Sequence, residues 1–213
     1  MQVRGGSTSD NGRLTLGDTS NYPLSGGKSF PYEGGMRIPL FIRWPGHIRA
    51  GQRSSTRVIH MDLYPTLLEM AGLPLRPQQH LDGQSLIPLA GTSNFPDRPL
   101  FFHSPHYTHA TGPLSSVILK DWKLIRWYND TSGAYSLFNL AEDPGELNDL
   151  AQRFPSRVEQ LNRLLEQWLK EADAKLPRPN PDYDPSLPPR MDKSFTEQLA
   201  MKERREFERR LLK

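Results

Sequence analysis

The sequence predicts an α/β segment followed by a small antiparallel sheet that carries one long packed helix. Three observations predict it. A strand-like run and a helix-like run alternate over residues 37–72. Short strand-like runs then follow one another after residue 100, with turn residues between them. Finally, Val158, Leu161, Leu165, Trp168 and Leu169 recur at helical spacing and draw one apolar face.

Taken in order, residues 7–35 are rich in Gly, Ser, Asn and Asp and follow neither period. They read as a long loop, which in a compact domain is usually functional or disordered. Arg37 to Trp44 reads as a strand with a buried centre at Leu40, Phe41 and Ile42. Pro39 places its paired part after the proline, and Pro45-Gly46 closes it. Val58 to Met61 is a short extended piece. Asp62 is placed to cap a helix that buries Leu63, Leu67, Met70 and Ala71, with Gly72 as its stop and Pro74 beyond.

The pattern changes after residue 88. Leu100-Phe101-Phe102 is a short apolar run, and Ser116 to Trp127 reads as a hairpin around Lys120-Asp121. Ala134 to Leu140 is a further strand, and Asp143-Pro144-Gly145 is a turn. Ser156 and Glu159 fit a capping box ahead of the long helix. A Pro-rich stretch over 176–192 is expected to run extended on the surface, and 194–213 reads as a charged helix with a thin apolar stripe. The expected division is 1–90 as an α/β part, 91–175 as an antiparallel subdomain with its helix, and 176–213 as an extension.

Composition excludes several classes. The 213 residues carry a formal net charge of +3 with 24% charged residues, so the signs nearly cancel. The last twenty residues hold six Lys/Arg against four Glu, which is a solvated helix face and no nucleic-acid footprint. There is no cysteine, so disulfides, thiolate metal sites and cysteine nucleophiles are excluded within these residues. No apolar run approaches the ~20 residues of a membrane span.

Four groups of residues could carry chemistry. In Ser9-Asp10-Asn11-Gly12, a carboxylate and an amide oxygen stand side by side, which suits a hard divalent cation such as calcium or magnesium. An Asx-type turn with no metal accounts for the same four residues. Lys28 follows a glycine pair in Ser25-Gly26-Gly27-Lys28, where an ammonium can approach a phosphate or sulfate as a point charge. A flexible surface loop is the plainer reading. His103 and His106 lie in a loop after a strand, where they could bind an anion or move a proton, or simply be exposed. Phe154-Pro155-Ser156-Arg157 matches the end of a nucleophile motif, but Arg153 stands at the nucleophile position, so the segment is read as a helix start.

The order of these blocks resembles the type I, formylglycine-dependent sulfatases. The blocks are Thr8 to Gly12, Pro23 to Lys28, Tyr32 to Leu40 continuing to Arg43-Trp44-Pro45-Gly46, Asp62 to Leu68, Asp82 to Leu86, Asp121 to Ile125, Leu137 to Leu140 and Asp143 to Glu146. The resemblance implies an alkaline-phosphatase-like fold, in which a large α/β domain packs beside a smaller antiparallel sheet with one long helix. It implies hydrolysis of sulfate esters or sulfamates on a sulfated small molecule or glycan, at a calcium ion and a formylglycine made from Cys or Ser. By position, Asp10 and Asn11 would be two metal ligands, Lys28 would contact the sulfate as the catalytic cation, and His103 and His106 would help bind substrate. Glu33, Arg37, His60 and Asp62 look structural. Export from the cytoplasm is expected from the resemblance.

Departures from the family pattern shape further expectations. Met1 to Gly6 does not read as the buried strand that precedes Ser-Asp-Asn-Gly in the family, and the paired aspartates and the nucleophile motif are absent from these residues. The 213 residues alone are therefore expected to hold only part of the site and to release no sulfate. An apolar face around Leu40 to Ile42 is expected to be exposed. Two other readings remain open: a phosphodiesterase or phosphonate hydrolase of the same superfamily, and a non-catalytic remnant that binds a sulfated glycan or a protein.

Overall fold

The computed structural model describes residues 21–91, 95–130, 134–178, 180–182, 184, 186 and 191–212. In chain order the elements are α1 (Glu33–Met36), a 3-10 turn (His60–Asp62), α2 (Leu63–Met70) and α3 (Ile87–Ala90), then β1 (Leu100–Ser104), β2 (Leu114–Leu119), β3 (Trp122–Trp127) and β4 (Tyr135–Asn139), and last α4 (Pro155–Glu171) and α5 (Lys193–Leu211). Two compact units form: Met1–Ile38 with Pro99–Lys213, and Pro39–Arg98.

The first unit is built on one antiparallel sheet in the order β1-β2-β3-β4. A two-residue turn at Lys120 and Asp121 joins β2 to β3, with Lys120 at φ 52°. The register aligns Val117, Leu124 and Leu137 in one row across three strands. These three side chains are fully buried against Leu161, Leu165 and Leu169 of α4. Phe101 of β1 stacks on Trp168 of α4 at 4.9 Å. The helical spacing in the sequence thus becomes the cover of one sheet face. The free edge of β4 is closed: Leu137 N donates to Asp149 Oδ1 (3.0 Å), and Leu150 N donates to the Leu137 carbonyl (2.8 Å).

The neighbouring residues in each strand point to the opposite face. There Leu100, Ile118, Lys123 and Phe138 form a second cross-strand row. Tyr32 lies edge-on to Phe138 at 6.1 Å, and Glu33 pairs with Lys123. Residues 21–38 therefore cover the second face of the sheet. This differs from the division at residue 90. The loop and α1 belong to the sheet's unit because their buried residues, Phe30, Tyr32 and Glu33, complete its core. α5 joins the same unit: Asp192 caps it by accepting from Phe195 N (2.8 Å), and the buried Thr196 hydroxyl donates to the Ala110 carbonyl (3.2 Å).

In the second unit, Asp62 is fully buried and its carboxylate accepts from Ile59 N (2.9 Å), Gln84 N (2.9 Å) and the Arg98 guanidinium. Leu86 N donates to Thr66 Oγ1 (2.9 Å). A Cβ at Gly83 would stand 2.3 Å from the Met61 carbonyl oxygen, so only glycine fits there. The blocks Asp62 to Leu68 and Asp82 to Leu86 are thus two halves of one hydrogen-bonded unit. The stop of α2 follows the expected pattern: Gly72 adopts φ 67°, Gly72 N donates to the Glu69 carbonyl and Leu73 N to the Leu68 carbonyl.

Four expectations are corrected. Arg37 to Trp44 forms no strand, and Leu40, Phe41 and Ile42 are exposed, Phe41 by 89%. A strand exists only where a neighbour takes its backbone hydrogen bonds, and among the described residues none pairs here. The exposure itself matches the expected apolar face. Val58 to Met61 runs into the 3-10 turn at His60–Asp62, closed by Asp62 N donating to the Ile59 carbonyl (2.9 Å). α2 buries Pro65 and Thr66, while Leu67 and Ala71 are exposed, because the inward side is set by Asp62 and Thr66 and their polar partners. α4 begins at Pro155 after Phe154, and no side chain caps it. Proline at the first helical position, with φ already helical and no N–H to satisfy, starts the helix one residue before Ser156.

Candidate anion-binding site

The site builds up from two glycine pairs. Gly26 adopts φ +67°, and a Cβ there would meet Phe30 at 2.7 Å. Cβ atoms at Gly34 and Gly35 would stand 2.2 Å from the Gly26 carbonyl oxygen and 2.3 Å from that of Phe30. The loop 25–28 and the short helix α1 therefore touch backbone to backbone. Gly34 N donates to the Ser25 carbonyl (2.9 Å), and the Asn21 amide donates to the Gly34 carbonyl. The Ser25 hydroxyl donates to the Gly145 carbonyl (2.5 Å), which fixes the loop to the turn after β4.

Lys28 sits at the tip of this arrangement. Phe30 N donates to the Gly27 carbonyl (3.0 Å), closing a four-residue turn with Lys28 and Ser29 in its centre. Lys28 is exposed, and no ion pair or hydrogen bond to its ammonium exists among the described residues. A free cation on a held turn can take an anionic oxygen without first breaking a pair.

Behind the turn is a buried ion cluster. Lys123 Nζ is 2.9 Å from Glu146 Oε1 and 3.2 Å from Glu33 Oε1, with its side chain fully buried. Glu146 also accepts from Glu33 N (2.5 Å). Burial pushes the Glu146 carboxyl above its usual value, and Lys123 opposes that shift. One ammonium shared by two carboxylates ties α1, β3 and the turn after β4 together.

The two histidines do not share the expected loop: His103 lies within β1, and only His106 follows the strand. His103 Nδ1 is 2.7 Å from Ser115 Oγ, and Nε2 is 3.1 Å from the Lys175 carbonyl oxygen. A carbonyl only accepts, so Nε2 carries a proton. Ser115 Oγ also reaches Tyr128 Oη (2.8 Å). Both ring nitrogens of His103 are engaged inside the fold. His106 is exposed with no polar partner among the described residues. No hydrogen bond joins Lys28 to either histidine among the described residues.

Asp10 and Asn11 lie outside the described residues. Among the described residues, no group of three or more His, Asp or Glu could hold a metal ion. Glu33 and Asp62 have the structural roles expected of them, whereas Arg37 and His60 are exposed.

Residues 26–175 match the family model described as N-sulphoglucosamine sulphohydrolase, C-terminal. The chain belongs to this sulfatase family. It is 36% identical over 183 residues to a curated sulfatase of Formosa agariphila, a match covering 78% of this chain and 32% of that protein. It is 36% identical over 166 residues to arylsulfatase K of Xenopus laevis, covering 74% of this chain and 30% of that one. Among solved structures, Ps i-CgsB in complex with k-i-k-neocarrahexaose superposes with a TM-score of 0.59 at 30% identity, over 70% of this chain and 32% of that chain. The chain thus spans about a third of the length of the curated relatives it matches.

The fold is the alkaline-phosphatase-like fold of the sulfatases, and the small antiparallel sheet with its helices is the part described here. The region matched to the sulfatase model contains Lys28, His103 and His106. It excludes Asp10, Asn11 and all of α5. Sequence reading missed the residues of α5 that reach the Lys28 loop, Glu203, Arg204 and Phe207. Only their helical spacing was visible, and nothing local to them points at residue 22 or 28.

Proposed function

We propose that this chain is the C-terminal part of a sulfuric ester hydrolase acting on a sulfated saccharide, with Lys28 as the cation that binds the sulfate group. The observation that carries this reading is the Lys28 ammonium, exposed and without a partner among the described residues, on a turn held by two glycine pairs inside the region matched to the sulfatase family. The family takes its name from hydrolysis of a sulfated amino sugar, N-sulphoglucosamine, and the superposed Ps i-CgsB was solved with an oligosaccharide. Both support a carbohydrate substrate.

The chemistry of Lys28 follows from its position. A sulfate ester carries one negative charge, and breaking its ester bond moves charge toward the bridging oxygen. A donor already in place stabilises that charge without having to reorganise. His106, exposed after β1, is proposed to contact the saccharide. His103 would act there only by giving up Ser115 or Lys175, so its proposed contribution is to position the loop that carries His106. Asp10 and Asn11 are proposed as two ligands of a calcium or magnesium ion, which in this family acts together with a formylglycine. The described residues supply no ligand set for that ion. In the whole protein, residues 39–98 would belong to the catalytic α/β domain, and residues 21–38 with 99–175 and α5 to the C-terminal subdomain built on the sheet. No described helix is long and apolar enough to cross a membrane, and export is proposed on family grounds.

The test is calorimetric titration of the chain with a sulfated saccharide and with its desulfated counterpart. The sulfated form is expected to bind more tightly, and Lys28→Ala is expected to weaken it by on the order of tenfold, the loss of one hydrogen bond from a charged donor. Equal affinity for the two saccharides, or no effect of Lys28→Ala, would sink the reading.

A further inference from the structure

Helix α5 is built onto the Lys28 loop, although it lies wholly outside the residues matched to the sulfatase family. Its first turns are anchored to the sheet. Lys193 Nζ donates to the Tyr135 carbonyl (2.9 Å) and pairs with Asp149 (2.6 Å), and Thr196 bonds to Ala110. From there, Ala200, Glu203, Arg204 and Phe207 follow at i, i+3, i+4 and i+7 and share one helix face. That face meets residues 22–27.

Arg204 makes the closest contact. Its Nη1 donates to the Pro23 carbonyl (2.9 Å), and its guanidinium lies 5.0 Å from the centre of the Tyr22 ring. Its Nε pairs with Glu208 (3.0 Å), and only 15% of the side chain is exposed. Arg204 Nη1 also stands 3.4 Å from the point a Cβ of Gly145 would occupy. The guanidinium is therefore wedged between the start of the anion loop and the turn to which Ser25 is bonded. One helical turn on, Phe207 packs against Tyr22 at 5.5 Å.

Glu203 stands at the other end of the loop. Its Oε2 lies 4.0 Å from where a Cβ of Gly27 would be, one residue from Lys28. Burial pushes its carboxyl up to about 7, with the neighbouring charge of Glu206 adding to the shift. The other ionisable groups on the loop and the turn are Tyr22 and Lys28 on the loop and Glu142, Asp143 and Glu146 on the turn. Lys28 is the one cation of the loop between Asn21 and Pro31.

We propose that α5 is a positioning element for the anion loop: Arg204 holds its backbone at Pro23, and Glu203 sets beside Gly27 a carboxylate that opposes a bound sulfate whenever it is ionised. The part played by Glu203 rests on Lys28 being the sulfate-binding cation. The part played by Arg204 does not. Binding at the loop would then strengthen as pH falls through neutrality, in a way the sulfatase-matched region alone does not specify.

Two measurements on the 213-residue chain decide it. The first is hydrogen exchange read over residues 22–30. Arg204→Ala is expected to speed exchange there by on the order of tenfold while β2 and β3 keep their protection. Arg204→Lys, which can still donate to Pro23 but lacks the flat group over Tyr22, is expected to fall between the two. Unchanged exchange over 22–30 in Arg204→Ala overturns the holding role. The second is titration with inorganic sulfate at pH 6 and pH 8. The wild type is expected to bind severalfold more weakly at pH 8, and Glu203→Gln is expected to remove that difference. Identical pH profiles in the two proteins overturn the role of Glu203. Failure of the wild type to bind sulfate at either pH, or unaltered binding in Lys28→Ala, overturns the Lys28 reading together with the Glu203 role, and the exchange result still decides Arg204.

Discussion

Lys123 Nζ and Glu146 Oε1 stand 2.9 Å apart with both side chains wholly buried, on the face of the sheet that residues 21–38 cover. Lys123 sits in a cross-strand row whose other members are Leu100, Ile118 and Phe138. A charge in such a row survives only when paired. Replacing Lys123 by Met leaves two buried carboxylates, Glu33 and Glu146, with no cation. The expected loss is about 3–5 kcal/mol of unfolding free energy. Glu146→Gln leaves Lys123 paired with Glu33 and is expected to cost about 1–3 kcal/mol. Urea unfolding of both variants checks the order, and equal losses would show that the cluster is not a shared-cation arrangement.

Arg98 closes the second unit on Asp62, whose carboxylate also accepts from two backbone amides. Arg98→Ala leaves that buried carboxylate with amide donors only. We expect faster hydrogen exchange across residues 59–86 and a loss of about 2–4 kcal/mol in that unit. Exchange in the sheet should stay at the wild-type rate.

His103 separates a structural from a ligand-binding role. Its two ring nitrogens already bridge Ser115 and Lys175. His103→Ala is expected to lower stability by about 1–3 kcal/mol. His106→Ala, at an exposed position, is expected to stay within about 0.5 kcal/mol of the wild type. Thermal melts of the two variants, set beside their saccharide affinities, check this. A His103 variant with normal stability and weakened binding would reverse the assignment.

Stability should fall as pH rises toward neutrality. The folded-state carboxyl of Glu203 is raised to about 7, so the folded chain keeps a proton that the unfolded chain has already released. Between the ordinary glutamate range and about pH 7, folding therefore takes up a proton. That contribution is fully present below the unfolded value and is lost as pH climbs through the folded one. Glu203→Gln is expected to flatten the melting temperature between pH 5 and pH 8 relative to the wild type. Parallel curves in scanning calorimetry would contradict this.

Much of the sheet unit was legible in the sequence. Strand alternation located β2, β3 and β4, and Lys120-Asp121 marked the turn between β2 and β3. The apolar spacing from Val158 to Leu169 named the face of α4 that meets the sheet. The block order identified the family, and Gly83 shows what one such block requires: its α-hydrogen faces the Met61 carbonyl with no room for a methyl group. The misreadings are of one kind. Asp62 has the composition of a helix cap, yet its carboxylate is spent on Ile59, Gln84 and Arg98. Leu40 to Ile42 have the composition of a buried strand, yet no described neighbour pairs with them. Composition states what a segment is able to do, and its partner decides whether it does so.

The sequence by itself determined the hairpin, the turn glycines, the amphipathic face of α4, the membership in the sulfatase family and the choice of Lys28 as a candidate cation. Each of these rests on a signal confined to a few adjacent residues or to a block order readable along the chain. Only the tertiary structure decided that Lys123 is buried between Glu33 and Glu146, that both nitrogens of His103 are occupied, and that α5 lies on the Lys28 loop. Glu33 and Lys123 are 90 residues apart, and Arg204 and Pro23 are 181 apart. Such pairs form because packing one face of the sheet leaves a buried charge or an open backbone carbonyl that must find a partner, and that requirement leaves no periodic trace in either partner's local sequence.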